Sequence, residues 1–302
     1  MNRGFLVATL FGLAFYGRVL GGCLSDDDVT PGPGVDGSVS LDASARPDAL
    51  VPSEGGVDAT TDGGAVPDAS SDAPADALDA SVDACVPGLV AWWPAEGTAE
   101  DTKGANEGTL IGDAGDAGFT TGKVGVAFSF DGTDRYVQVN AQSSLDMSAG
   151  DFTVDVWFKL ASLATDQTIF QKLSGSTTAD PSYFIEFSSP NALRFAVLET
   201  VSNRNDLSVT TTLAAGTWYH FAAVRSQNSS TIYLDGVAIG SQDAGAAVNT
   251  GTGGGARIGR AAHDSGIVRP VNGAVDELAI YNRALSAAEI QAVFAAGAAR
   301  CK

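Results

Sequence analysis

The chain has 302 residues, with 36 Asp and Glu against 17 Lys and Arg and a formal net charge of −19. A surplus of that sign argues against nucleic acid as a partner, because phosphate recognition depends on Lys and Arg releasing counterions. It leaves cations and neutral sugars open as ligands, and the length suits a single β-sandwich of about 200 residues or more.

The first element is a targeting segment. Arg3 supplies a positive start, residues 5–16 are apolar, and Leu20-Gly21-Gly22-Cys23 follows. The run is too short for a membrane span. It resembles a bacterial lipoprotein signal, which implies a signal peptide over residues 1–22, cleavage before Cys23 and lipidation of Cys23. An ordinary secretory signal is the alternative, and either one exports the chain. Residues 23–84 then form an acidic linker rich in Asp, Ala, Gly, Pro and Ser, in which Arg46 is the one basic residue and aromatic residues are absent. Such a segment cannot bury enough apolar surface to offset chain entropy. A disordered tether of about 60 residues reaches roughly 40 Å by square-root scaling.

Composition changes at Cys85, and residues 85–302 read as the folded domain. Cys85 and Cys301 stand at its two ends, so in an exported protein the pair is most simply a disulfide that requires the first and last elements to lie side by side. Closing a loop of roughly 200 residues would contribute about 5 kcal/mol in the chain-entropy model. The stretch FTVDVWFKL alternates strictly, with Phe152, Val154, Val156, Phe158 and Leu160 on one face and Thr153, Asp155, Trp157 and Lys159 on the other. YFIEF, LRFAVLE, WYHFAAVR and RIG read as further strands. In STIYLDGVAIGS, Asp235-Gly236 predicts a hairpin with a type I′ turn. One helix follows. Ser286 and Glu289 form a capping box, Leu285 and Ile290 a hydrophobic staple, and Ile290, Val293 and Phe294 an apolar stripe that Gly297 terminates. It is expected to lie as a lid on the sandwich edge.

Seven stretches in order, GLVAWWPAEG, DTKGANEGTL, VAFSFDGTDRYVQV, FTVDVWFKL, GTWYHFAAVR, IYLDGVAIG and GAVDELAIYNRALSAAEI, resemble the laminin-G-like, concanavalin-A-like jelly-roll family. The resemblance implies an all-β fold of two antiparallel sheets packed face to face, with adjacent termini and one short C-terminal helix. It also implies a binding surface on rim loops or on the concave sheet. Through it, Asp101, Asn106 and Asp276 are candidate ligands of a structural calcium ion. A structural turn with a capped Asp276 is the alternative.

In regular alternation Asp276 shares a side with Leu278 and Ile280, whereas Glu277 points the other way. Adjacent carboxylates on opposite faces cannot form the pair about 5–5.5 Å apart that a retaining glycosidase needs. No catalytic residue is therefore assigned and the domain is not read as an enzyme. Trp157, alternating out of the Phe152–Leu160 row, is a candidate for stacking on a sugar. His263, in the loop AAHDSGIVRP, is a candidate ligand contact. His220 reads as a packed sheet histidine, and Asp131 and Asp134 as turn formers. The expected function is a non-enzymatic cell-surface binding or adhesion module for a glycan or an envelope or extracellular protein, reaching the membrane only through a lipid. The alternatives are a structural envelope component without a small ligand and, below it, a glycoside hydrolase.

Overall fold

The computed structural model describes residues 86–112, 118–175, 177, 179–200, 202–243, 248–262, 266 and 268–297. In chain order the strands are β1 (Leu89–Trp93), β2 (Gly108–Ile111), β3 (Phe119–Thr121), β4 (Val126–Asp131), β5 (Tyr136–Val139), β6 (Phe152–Leu160), β7 (Gln167–Leu173) and β8 (Ser182–Ser188). They continue with β9 (Ala192–Leu198), β10 (Arg204–Thr210), β11 (Tyr219–Ser226), β12 (Ser229–Leu234), β13 (Val237–Asp243), β14 (Ala256–Ile258) and β15 (Asn272–Tyr281), and α1 (Ala287–Ala296) follows.

Two antiparallel sheets form, as the alternating stretches predict. One runs β13-β12-β11-β6-β15-β4-β3, with β1 also on β15; the other runs β10-β9-β8-β7-β14-β5-β2. Their inner faces meet in one core. Phe152, Val154, Val156, Phe158 and Leu160 all enter it, and each such side chain contributes about 1.5–3 kcal/mol on full burial. The Asp235-Gly236 turn joins β12 to β13 with positive φ at both residues, 49° and 78°, as a type I′ hairpin requires.

The first and last strands are neighbours. Leu89 pairs with Tyr281 and Trp93 with Leu278, and Arg283 Nε donates to the Pro87 carbonyl at 2.8 Å. Cys85 and Cys301, like Cys23, lie outside the described residues.

The helix has the capping box read from the sequence. Ser286 Oγ accepts from the Glu289 amide, and the Glu289 carboxylate accepts from the Ser286 amide. Arg283 clamps that carboxylate at 2.6 Å and, against some desolvation, holds its pKa near 2. Its position differs from the expected edge lid. Phe294 stacks on Trp157 of β6 at 5.6 Å and lies 5.8 Å from His220 of β11, so α1 covers the outer face of the first sheet. Ile290 and Leu285 join a second cluster there with Trp92, Ala222, Tyr233, Ala279 and Tyr281. The physical reason is β6 itself. Its second row, Thr153, Asp155 and Trp157, is 0–2% exposed, and that row needs a cover.

Candidate functional site

The first sheet changes partners halfway along β15. Residues Asn272 to Val275 pair with β4, and Leu278 to Tyr281 pair with β1. Between them the register against β6 slips, from Asp276 opposite Trp157 to Ala279 opposite Asp155. The extra residue is Glu277, in the left-handed region at φ 55°. This is a β-bulge, with two residues facing one across the ladder. It corrects the alternation expected from the sequence. Val275, Leu278 and Ile280 enter the inner core, while Ala279 and Tyr281 face outward. Asp276 and Glu277 therefore both lie toward the outer side.

Each carboxylate has a different neighbour. Asp276 Oδ2 accepts the amides of Lys123 and Val124 at 2.8 and 3.0 Å. Those amides belong to the turn between β3 and β4, where a Cβ on Gly122 would come 2.6 Å from that same oxygen. Glu277 Oε2 accepts the indole N–H of Trp92 at 2.8 Å. On the turn's other side, Glu96 accepts the Val126 amide at 3.3 Å.

Burial pushes the Asp276 carboxyl from 3.8 up to about 6; the Val124 and Lys123 amides pull it down, and the charge of Glu96 adds to the rise. The folded chain thus keeps this proton to about pH 6, whereas an unfolded aspartate releases it near 3.8. Between those values the folded state binds more protons, so stability falls as pH rises. Asp276→Asn is expected to remove that contribution. The unfolding free energies of wild type and variant, measured in urea at pH 4 and pH 7, should diverge by about 2–3 kcal/mol in the variant's favour on going to pH 7. Parallel pH curves would contradict the assignment.

Asp101 and Asn106 share one turn after β1. Asp101, 3% exposed, accepts the amides of Trp92 (2.8 Å), Lys103 (3.0 Å), Asn106 (3.0 Å) and Ala105 (3.4 Å) and the Asn106 side-chain N–H at 2.8 Å. Asn106 Oδ1 accepts from Ser144 Oγ at 2.6 Å. A hard cation needs six to eight oxygen ligands. The Asp101 oxygens and Asp276 Oδ2 face N–H donors instead, and no group of three or more His, Cys, Asp or Glu poised for a metal occurs among the described residues. Asp276 Oδ1, in contrast, is buried with no hydrogen-bond partner. The amide partners of the other oxygens suit the structural alternative, in which Asp101 ties a loop to β1 and Asp276 ties a turn to β15.

Trp157 is 2% exposed beneath Phe294, with Lys123 Nζ 4.2 Å above its ring, so the ring is covered rather than offered to a ligand. His220 is fully buried, its Nε2 3.7 Å from Asp155. Asp131 closes its turn on the amides of Thr133, Asp134 and Arg135. His263 lies outside the described residues.

A cavity of about 380 Å³ opens beside the bulge. Trp92, Pro94 and Val124 give it an apolar wall, Glu96, Glu100 and Glu277 carboxylates, and Thr98 and Thr102 hydroxyls. The volume sits at the small end of the range for ligand pockets, about 300–1,000 Å³. Sequence reading missed Glu96, Thr98, Glu100 and Thr102 as lining residues. One signal could have found them: every second residue from Trp92 to Thr102 lines the cavity.

A family model described as the concanavalin A-like lectin/glucanases superfamily matches residues 131–291. No curated protein matches the sequence at a significant level. Among solved structures, the binding domain of Paraclostridial Mosquitocidal Protein 1 superposes with a TM-score of 0.56 at 16% identity, over 70% of this chain and 52% of that one. The present chain thus spans about half of that domain's length. Domain 4 of AbnA, a GH43 extracellular arabinanase from Geobacillus stearothermophilus solved with arabinotriose, gives 0.54 at 23% identity, over 68% of this chain and 97% of that one. The botulinum neurotoxin serotype G binding domain gives 0.54 at 10% identity, over 69% and 51%.

Proposed function

This chain belongs to the concanavalin A-like lectin/glucanases superfamily, and on that premise we propose that its folded domain is a non-enzymatic, metal-independent module that binds a neutral glycan in the cavity beside Trp92. The observation that carries the reading is the cavity's composition. Pro94, Val124 and the small accessible part of the Trp92 indole, itself 5% exposed, offer apolar surface to the C–H faces of a sugar, and carboxylates and hydroxyls converge around them to accept and donate to its hydroxyls. Asp276 lies under the Lys123–Val124 amides and Glu277 is held by the Trp92 indole, which supports an anchoring role for both over acid–base catalysis. A similar fold supports a sugar as the ligand class, because AbnA domain 4 was solved with arabinotriose.

The rest of the chain completes the proposal. Residues 1–22 act as an export signal, Cys23 carries a lipid, and residues 23–84 form the acidic tether. Residues 85–302 are displayed at the cell envelope and closed by a Cys85–Cys301 disulfide. The support is the composition of the N-terminal segments together with the adjacency of β1 and β15.

Calorimetric titration with a panel of neutral oligosaccharides, arabinotriose first, tests the reading. At least one is expected to bind with Kd between about 1 mM and 1 μM, equally well with calcium and with chelator. Glu100→Gln, at an exposed cavity position, should weaken binding about tenfold, the worth of one good hydrogen bond to a charged group, without moving the melting midpoint. A blank panel would favour a structural envelope component instead.

A further inference from the structure

The polar side chains of the Trp92 cavity differ in what they can offer a ligand. Five of them line it: Glu96, Thr98, Glu100, Thr102 and Glu277. A carboxylate accepts hydrogen bonds and donates none, whereas a hydroxyl can do both. Three of the five therefore bring acceptor oxygens alone.

The donors beside them are mostly committed within the protein. Thr102 Oγ1 donates to the Trp92 carbonyl at 3.2 Å, and the Trp92 indole N–H donates to Glu277 Oε2 at 2.8 Å. The Thr102 amide also goes to the Trp92 carbonyl, at 2.9 Å, and the Val124 amide goes to Asp276 Oδ2 at 3.0 Å. Thr98 Oγ1 accepts the Glu100 amide at 3.4 Å, so among these side chains its hydroxyl alone keeps a proton for a ligand. The acceptors are less engaged. Glu96 accepts the Val126 amide at 3.3 Å, and neither oxygen of Glu100 accepts from a protein group among the described residues. Both carboxylates stand at exposed positions.

On the premise that this cavity holds a glycan, we propose that it selects its ligand by free vicinal hydroxyls. Glu100 takes two adjacent hydroxyl protons, one on each oxygen, and Glu96 takes a third. Such bonds to a carboxylate are the stronger, charge-assisted kind. A sugar whose hydroxyls are esterified brings acceptors to acceptors. Those oxygens lose water and find no donor, which is the costly way to bury a polar group. O-acetylated sugars are rejected on that ground, and uronates because their own carboxylates face Glu96, Glu100 and Glu277. The ligand class is thus an unesterified neutral glycan, read through the protons of its hydroxyls.

Titration of the full chain with arabinotriose and cellotriose, and with derivatives in which one hydroxyl at a time is replaced by fluorine, tests this. Fluorine keeps the size of the hydroxyl but cannot donate. At least one parent is expected to bind, and fluorine at each of two adjacent positions should weaken it about tenfold or more. The O-acetylated parent should not bind. Glu100→Gln exchanges one acceptor oxygen for a donor, so in that variant the penalty at one of the two positions should shrink below about threefold, the coupling expected of groups in contact. The proposal is overturned if the O-acetylated sugar binds like its parent, if every fluorinated derivative stays within about threefold of its parent, or if both penalties persist in Glu100→Gln. In each of those cases a sugar still binds and the cavity reading stands. If neither parent binds, this inference falls, and the wider panel of neutral sugars then decides the cavity reading by itself.

Discussion

Asp101→Ala is expected to destabilise the domain by about 3–5 kcal/mol, read as a drop in the urea midpoint at constant slope. Its carboxylate is 3% exposed and gathers five N–H groups: the backbone amides of Trp92, Lys103, Ala105 and Asn106, and the side chain of Asn106. Removing the acceptor leaves several buried donors unpaired, and each such group costs about 1–3 kcal/mol. Asp101 also ties the loop to Trp92 of β1, whose amide it holds and whose indole Glu277 holds. Loss of the anchor should therefore weaken glycan binding at the cavity along with stability. Asp101→Asn keeps one acceptor oxygen and should cost less. A change below about 1 kcal/mol for the alanine variant would show that the loop does not depend on this carboxylate.

Trp157→Ala should cost a similar amount, about 3–5 kcal/mol, for a different reason. Trp157 is buried where α1 meets the first sheet. Phe294 stacks on it at 5.6 Å, His220 tilts against it at 5.2 Å, and Lys123 Nζ sits 4.2 Å above the ring. Deleting the indole opens a hole beneath α1 that the rigid strands on either side cannot fill. Trp157→Phe retains most of the contact and should recover more than half of the loss. Glycan affinity of the folded fraction should stay as in wild type. Weakened sugar binding with unchanged stability would instead mean that the ring is presented to ligand.

The amphipathic strands were legible because burial on one face leaves a period of two. The Phe152–Leu160 row, the Asp235-Gly236 hairpin and the Ser286/Glu289 capping box each combine local chemistry with local geometry. What the sequence did not disclose depends on contacts between distant segments. The bulge at Glu277 carries no glycine to announce its positive φ. It arises because β15 leaves β4 and takes up β1 as a partner at that point. Regular alternation therefore placed Asp276 and Glu277 on opposite faces. The position of α1 was hidden for a related reason. The outward row of β6 mixes Thr153, Asp155 and Trp157, and its burial becomes plain only when the helix is seen above it. At the Asp101 turn the residue types suit a cation, but their partners are amide hydrogens. Composition specifies which atoms are present, and the fold decides which way they point.

The proposed sugar site lies beside Trp92, next to the β15 bulge. The chain has four tryptophans, so the indole N–H region of a ¹H–¹⁵N spectrum holds few signals and can be assigned by single replacement. On titration with the oligosaccharide that binds most tightly, the Trp92 signal should move with the binding curve while those of Trp93 and Trp157 stay in place. Saturating ligand that leaves the Trp92 signal unmoved would place the sugar elsewhere and rule out this cavity as its site.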